Sequence, residues 1–413
     1  MAKRNPSKVA ELRQRRTAPL TTPTDLGAQA SVGAITIWNR TDCCGSRLAD
    51  YWVFVSATPF NASDTPAVLQ SRAGVWSTHQ TSAPGPSTTL ATGGVTGQYV
   101  RVQLSGTDYL NLAEVQVFGT ALTNLSQGKT ASQSSTFRPA AAAVDGNTDG
   151  NLANNSVSHT YAEANAWWQV DLGTQSLVNA IMVWNRTDCC GSRLADYWVF
   201  VSNTPFLSSD TPATLQSRVG VYASHQTSAP GPSTAIATGG VVGQYVRVQL
   251  SGTDYLQLAE VQVFGTAVSN VAAGKTASES STFRAAAAAV DGNTDGNLAN
   301  NSVSHTYAEG NAWWQVDLGS SVTVSAVTVW NRTDCCGSRL ADYWVFVSNT
   351  PFASSDTPAT LQSRAGTWAG HQTVAPNPAM GIATGGVQGR YVRVQLSGTD
   401  YLQLAEVQVQ TAP

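Results

Sequence analysis

Three stretches of the chain carry side chains able to grip a small neutral polyol. Asn39, Asn185 and Asn331 each begin the same 18 residues, Asn-Arg-Thr-Asp-Cys-Cys-Gly-Ser-Arg-Leu-Ala-Asp-Tyr-Trp-Val-Phe-Val-Ser, at a constant spacing of 146. Each stretch holds two arginines seven apart with a Cys-Cys pair between them. These are Arg186 and Arg193 around Cys189 and Cys190, and Arg332 and Arg339 around Cys335 and Cys336. His159 stands 27 residues before Arg186, and His305 stands 27 before Arg332. Two guanidiniums and an imidazole supply fixed donors suited to the hydroxyl and ring oxygens of a monosaccharide. The sulfurs offer an apolar patch for a C–H face of the sugar. A few converging polar groups beside an apolar patch is the usual build of a small-ligand site. Read one at a time, the arginines are surface partners for Asp188 and Asp196, and His159 is a structural residue. Their joint spacing argues for a site. The adjacent cysteines can bond to each other or remain reduced core thiols.

The elements that must position these groups read as β. Ala180–Asn185, Tyr197–Ser202, Tyr245–Leu250 and Leu256–Phe264 are short runs rich in β-branched and aromatic residues, several alternating apolar with polar. Breaker clusters such as 145–151 and 229–233 separate them. Many short strands with Gly/Pro turns predict an all-β fold of tandem β-sandwich jelly-roll domains. A 146-residue period is too long for a solenoid unit, so each copy should have its own core. The boundaries read as a basic disordered tail over 1–24, a copy truncated at its N-terminal end over 25–120, and full copies over 121–266 and 267–413. Trp167 and Trp168 read as packing residues rather than ligand platforms. The histidines His79, His225 and His371 recur before a glutamine and read as surface-loop residues.

Composition narrows the function classes. Charged residues make up 12% of the chain, the net charge is -3 and the pI is about 5.9. Such a balance argues against nucleic acid as a partner. No apolar run reaches membrane-span length, so no membrane insertion is expected. The cysteines form no C-x-x-C pattern, which argues against zinc. No nucleophile–base pair or glycosidase carboxylate pair stands out by spacing, so no catalysis is expected. A bonded vicinal cysteine pair favours an oxidising setting, extracellular or at the cell surface. The basic first 16 residues nevertheless lack the apolar stretch of a secretory signal.

The pattern His-x26-Arg-x-Asp-Cys-Cys-x-x-Arg resembles the signature of the F-type lectins, the fucolectin family within the discoidin-like folds. In copies two and three the resemblance covers the whole repeat. It implies a jelly roll that binds L-fucose and holds a structural Ca2+. It implies that His159, Arg186 and Arg193 hydrogen-bond the sugar while a Cys189–Cys190 disulfide packs on its ring. His305, Arg332, Arg339 and Cys335–Cys336 would do the same in copy three. Calcium wants about six to eight oxygens. The ligands that the resemblance implies are Asp145, Glu260, Ser156 and the carbonyls of Ala142, Asn147 and Ala259. Copy three supplies Ala288, Asp291, Asn293, Ser302, Ala405 and Glu406. On its own, the loop 145–151 reads only as a turn. Copy one keeps Arg40, Cys43, Cys44, Arg47 and Glu114 but lacks this loop and the histidine. Thr187 and Ser192 depart from the common family pattern.

The resulting expectation is a multivalent lectin for L-fucose and fucosylated glycans. The alternative is a discoidin-like adhesion module that docks on protein or lipid surfaces through Pro205-Phe206 and Pro351-Phe352.

Overall fold

The computed structural model describes residues 11–12 and 24–412. Copies two and three are each organised around one long strand. In copy two it runs Trp167–Asn185. From Trp168 to Leu172 every second residue is buried, which is the period a half-wet sheet requires. Register shifts between Asp171 and Ser176 and between Val178 and Ala180 bend the strand. The bend lets it serve both layers of a sandwich. Its first part pairs with Thr130–Gln133, its second with Gln257–Ala267, and Ser233–Leu250 runs along both.

Across the sheet the order is Tyr222–Gln226, Tyr197–Ser202, Ser233–Leu250, Trp167–Asn185, Gln257–Ala267 and Thr123–Asn124, with antiparallel neighbours throughout. Copy three repeats this plan around Trp313–Trp330. The chain is all-β, in tandem jelly-roll sandwiches of discoidin-like form.

Val170, Ile181, Val183, Tyr197, Val199, Val248 and Val261 fill the core of copy two around Trp168. Trp168 is fully buried, and its Nε1 donates to Ala140 O at 2.9 Å. Trp167, by contrast, lies beside the Arg247 guanidinium, 4.5 Å away. Both tryptophans pack, as their context suggested. Trp168→Ala is therefore expected to destabilise the copy by about 3–5 kcal/mol. Urea unfolding checks this, and a loss below about 1 kcal/mol would contradict the packing.

Copy one forms the same sheet from Thr24–Trp38, Tyr51–Ser56, Val75–Gln80, Ser87–Leu104 and Glu114–Ala121, with its own core around Ile35, Val53 and Val55. Glu11 and Leu12 pair with Phe118 and Val117, where the later copies use Thr123–Asn124 and Ser269–Asn270. The rest of the basic tail expected over 1–24, apart from Thr24, lies outside the described residues.

Two expectations are corrected. His79, His225 and His371 lie on strands, not loops, each stacked on a cross-strand tryptophan at 4.2–4.3 Å. Phe206 and Phe352 are 5% and 6% exposed, packed with Phe200 and Leu215 or Phe346 and Leu361. The apolar tips that the adhesion alternative needs are thus core residues. Among the described residues no helix is long and apolar enough to cross a membrane.

Candidate functional site

The shared 18 residues form a loop knotted at its base. The buried Asn185 donates its side-chain amide to Gly191 O and Pro230 O, closing the turn on itself. Within that turn Cys190 adopts a left-handed backbone, φ 59°, and bonds to Cys189 across a Cα separation of 3.8 Å. Cys335 and Cys336 do the same, whereas Cys43 and Cys44 are free. All six cysteines are exposed, so their sulfurs face outward. The short helical turn Gly191–Leu194 follows and carries Arg193 back toward Arg186, with Leu194 buried beneath it.

The structure brings His159, Arg186 and Arg193 together. His159 sits on a two-residue strand, Ser158–His159, paired with Gln257 and Leu258. The side chain of Gln257 lies among the three. Its amide end is 2.6 Å from His159 Nε2, 3.2 Å from Arg186 Nη1 and 2.8 Å from Arg193 Nη1. In copy three Gln403 stands at 2.6 Å from His305 Nε2, 3.1 Å from Arg332 Nη1 and 2.9 Å from Arg339 Nη1. Burial holds His159 and His305 below the ordinary imidazole value. Hydrogen bonds to Thr160 O and Thr306 O oppose this, and the neighbouring arginines reinforce it. Burial and the two nearby cations therefore both favour the neutral form of the ring.

Each arginine has a further anchor. Asp188 accepts from Arg186 Nε at 2.7 Å and Nη2 at 2.9 Å. This fork first, then the Leu152 N–H, holds the Asp188 carboxyl down to about 2. Arg193 lies 3.5 Å from Asp254 and over the Tyr255 ring at 4.5 Å. Asp196, the other partner that spacing suggested, belongs to His225 instead.

Sequence reasoning missed the aromatic rim. Phe137 and Tyr161 are 50% and 55% exposed, and Phe137 stands 4.8 Å from the His159 ring. Phe283 and Tyr307 repeat the arrangement around His305. Two half-bare aromatic rings next to a donor cluster were the available signal in Thr-Phe-Arg and His-Thr-Tyr.

Behind the site lies the 145–151 loop, chained by Asx turns: Asn147 N–H to Asp145, Asp149 N–H to Asn147, Asn151 N–H to Asp149. It touches the cysteine loop directly, because Thr187 N–H donates to Gly150 O at 2.9 Å. A Cβ on Gly150 would fall 2.6 Å from Thr187 Oγ1, so only glycine fits there. Glu260 comes up from below, fully buried. Gly146 N–H donates to its Oε1 at 3.1 Å, while its Oε2 has no partner. Burial pushes Glu260 up to about 8, with the Gly146 N–H opposing and the charge of Asp145 adding. Glu406 repeats this with Gly292 and Asp291, its Oε2 again orphaned.

Of the other expected ligands, Ser156 Oγ donates to Asn151 O, and Ser302 Oγ to Asp295 O and Asn297 O. Ala142 lies in the short 3-10 turn Ala140–Ala143 and Ala288 in its counterpart Ala286–Val290. Asn293 N–H donates to Asp291, and Ala259 and Ala405 are fully buried beside the glutamates. Among the described residues no group of three or more His, Cys, Asp and Glu side chains gathers as a metal site.

Copy one differs at each of these points. Among the described residues no histidine strand covers its loop, and Arg40 is 39% exposed against 10% for Arg186 and Arg332. Asn111 stands where Gln257 does, and Glu114 accepts from the Gln116 side chain.

A Ser–Asp–His group also repeats in every copy. His225 Nε2 and Ser251 Oγ both bond the same Asp196 Oδ1, at 2.6 and 2.8 Å. In copy two the serine hydroxyl thus donates to the carboxylate rather than to the imidazole.

The NedA-like, galactose-binding domain profile matches residues 16–102, 142–248 and 288–394, well over half of the chain. One copy is 33% identical over 127 residues to Fucolectin-6 of Anguilla japonica, covering 31% of this chain and 63% of that protein. The fucolectin of Anguilla anguilla is 34% identical over 124 residues, covering 29% of this chain and 73% of that protein. A crystal structure of a fucolectin from Morone saxatilis serum aligns at 30% identity and a TM-score of 0.35, covering 71% of this chain and 99% of that one. The chain spans less than two thirds of several of these relatives, 63% of Fucolectin-6 and 61% of Fucolectin-5. The chain belongs to the NedA-like galactose-binding domain family, and within it to the F-type lectins as a tandem repeat.

Proposed function

We propose that this chain is a non-catalytic, multivalent lectin for L-fucose and fucosylated glycans, with competent sites in copies two and three. One observation carries the reading: an imidazole and two guanidiniums meet beside a bonded, outward-facing cysteine pair, twice in the same geometry. The eel relatives named fucolectins support the sugar class. In each site the nitrogens of His159, Arg186 and Arg193 bind sugar oxygens. The Cys189–Cys190 sulfurs and the aromatic rim take the apolar edge. Vicinal disulfides suit an extracellular or cell-surface protein.

The residues behind each site fit a structural calcium. A buried carboxylate with one orphaned oxygen, next to a second carboxylate, is poorly satisfied without a cation. Asp145 and Glu260 would hold it in copy two, with Ser156 and the carbonyls of Ala142, Asn147 and Ala259. Asp291 and Glu406 lead the set in copy three. The ion would supply only charge and cross-linking, tying the 145–151 loop to the last strand of the copy.

Calorimetric titration of the whole chain with L-fucose tests the reading. Two sites per chain are expected, since copy one lacks the histidine strand. No binding would end the fucose assignment, and three sites would end the exclusion of copy one.

A further inference from the structure

Each of the two sites contains one side chain that the lectin reading above does not use. Gln257 is 2% exposed, and its amide ends where His159 Nε2, Arg186 Nη1 and Arg193 Nη1 converge. The imidazole makes that amide a poor fit. His159 Nδ1 lies 2.5 Å from Thr160 O, a carbonyl that can only accept, so the ring proton sits on Nδ1. In the neutral ring Nε2 then carries a lone pair. If Gln257 turns its NH2 to that lone pair, the NH2 also faces Arg186 Nη1 and Arg193 Nη1, donor against donor. If it turns its carbonyl there, both arginines are served, but the oxygen opposes the Nε2 lone pair. While the ring is neutral no orientation of the amide satisfies all three groups; only an imidazolium, protonated on both nitrogens, lets the turned carbonyl accept from all three. A single hydroxyl satisfies them with the ring neutral: it donates to Nε2 and accepts from both guanidiniums. His305, with Nδ1 2.5 Å from Thr306 O, meets Gln403 in the same way.

We infer that Gln257 and Gln403 are built-in competitors, mismatched amides that occupy the sugar sites until a hydroxyl of the ligand displaces them. The inference rests on the lectin reading above and adds a gate to it. The amide sets a threshold: a ligand must bring a group that both donates and accepts, as an alcohol does and a carboxylate or ether oxygen does not. Apparent affinity falls by the fraction of sites left open. A site closed about nine-tenths of the time binds about tenfold more weakly than an open one.

Two measurements on the whole chain test this. The first is titration with L-fucose of Gln257→Ala with Gln403→Ala, and of Gln257→Ser with Gln403→Ser in case the alanine pair unfolds. Binding about tenfold tighter than the natural chain is expected. Equal or weaker binding by a folded variant overturns the gate and makes the glutamines supports instead. The second needs no sugar. Long-range 15N–1H NMR of the free protein should place the ring proton of His159 and His305 on Nδ1. A proton on Nε2 overturns the argument even if fucose binds well. If the natural chain and every folded variant ignore fucose while the tautomer is as stated, it is the lectin reading that fails.

Discussion

Arg186→Ala combined with Arg332→Ala is expected to abolish detectable fucose binding while the chain stays folded. Each arginine gives one Nη1 to the cluster that faces the sugar and commits Nε and Nη2 to its own aspartate. Removing a charged donor from such a cluster costs about 1.5–3 kcal/mol, or roughly 10–150-fold per site. The paired aspartates stay about a quarter exposed, so solvent can take the place of the lost partner. With its aspartate end open to solvent, such a pair is expected to contribute only about 1 kcal/mol to stability. Melting temperature should thus move by only a few degrees. On a dense glycan surface either single substitution already forfeits avidity, by as much as about 10²–10⁴ where both sites can engage at once. A glycan array read alongside thermal unfolding checks both halves. Array binding by the double variant at the natural level would remove the site.

Exhaustive chelation is expected to lower the melting temperature and to weaken sugar binding together. An ion present at 100 times its Kd stabilises the folded state by about 2.7 kcal/mol, and copies two and three would each lose that much. The effect on binding follows from geometry. The 145–151 loop holds Thr187 through Gly150 O, and Thr187 adjoins both Arg186 and Asp188. Loosening the loop therefore loosens the arginine. Glu260→Gln with Glu406→Gln should reverse sign with conditions. With calcium present the variant melts below the natural chain, having lost a charged ligand. After chelation it melts at or above it, because a buried amide is less costly than a buried carboxylate with an orphaned oxygen. Identical melting of the natural chain with and without chelator would rule out the bracing role.

Much of the fold could be read from period-2 runs. Tyr197–Ser202 and the Tyr245–Leu250 run both form strands, because alternation with a wet face is a local property. The helix Pro212–Ser217 could not be read that way. Six residues are too few for a 3.6-residue period, and its signals are local: the Thr211 cap and Pro212 at the first turn. The histidines His79, His225 and His371 were misjudged for the opposite reason. A His-Gln pair after Thr78, Ser224 or Gly370 looks polar or small, yet each ring is held by stacking on a tryptophan far away in sequence. At the candidate site, the spacing of His159, Arg186 and Arg193 was legible because the loop is fixed by its own knot. Gln257 was not. It sits 98 residues from His159, and only the pairing of Ser158–His159 with the strand that begins at Gln257 brings them together. The orphaned oxygens of Glu260 and Glu406 were likewise invisible, since they are a property of burial and not of order along the chain.

The amide knot at Asn185 has a consequence for where this protein can be made. Asn39-Arg-Thr41, Asn185-Arg-Thr187 and Asn331-Arg-Thr333 all fit the acceptor pattern for N-linked oligosaccharide transfer. Transfer needs a free amide nitrogen, and in each copy that nitrogen already donates to two carbonyls and is buried. In the folded protein these three asparagines are closed to the modification. A transferase that reached these asparagines on the nascent chain would remove the fastener of the cysteine loop before it closed.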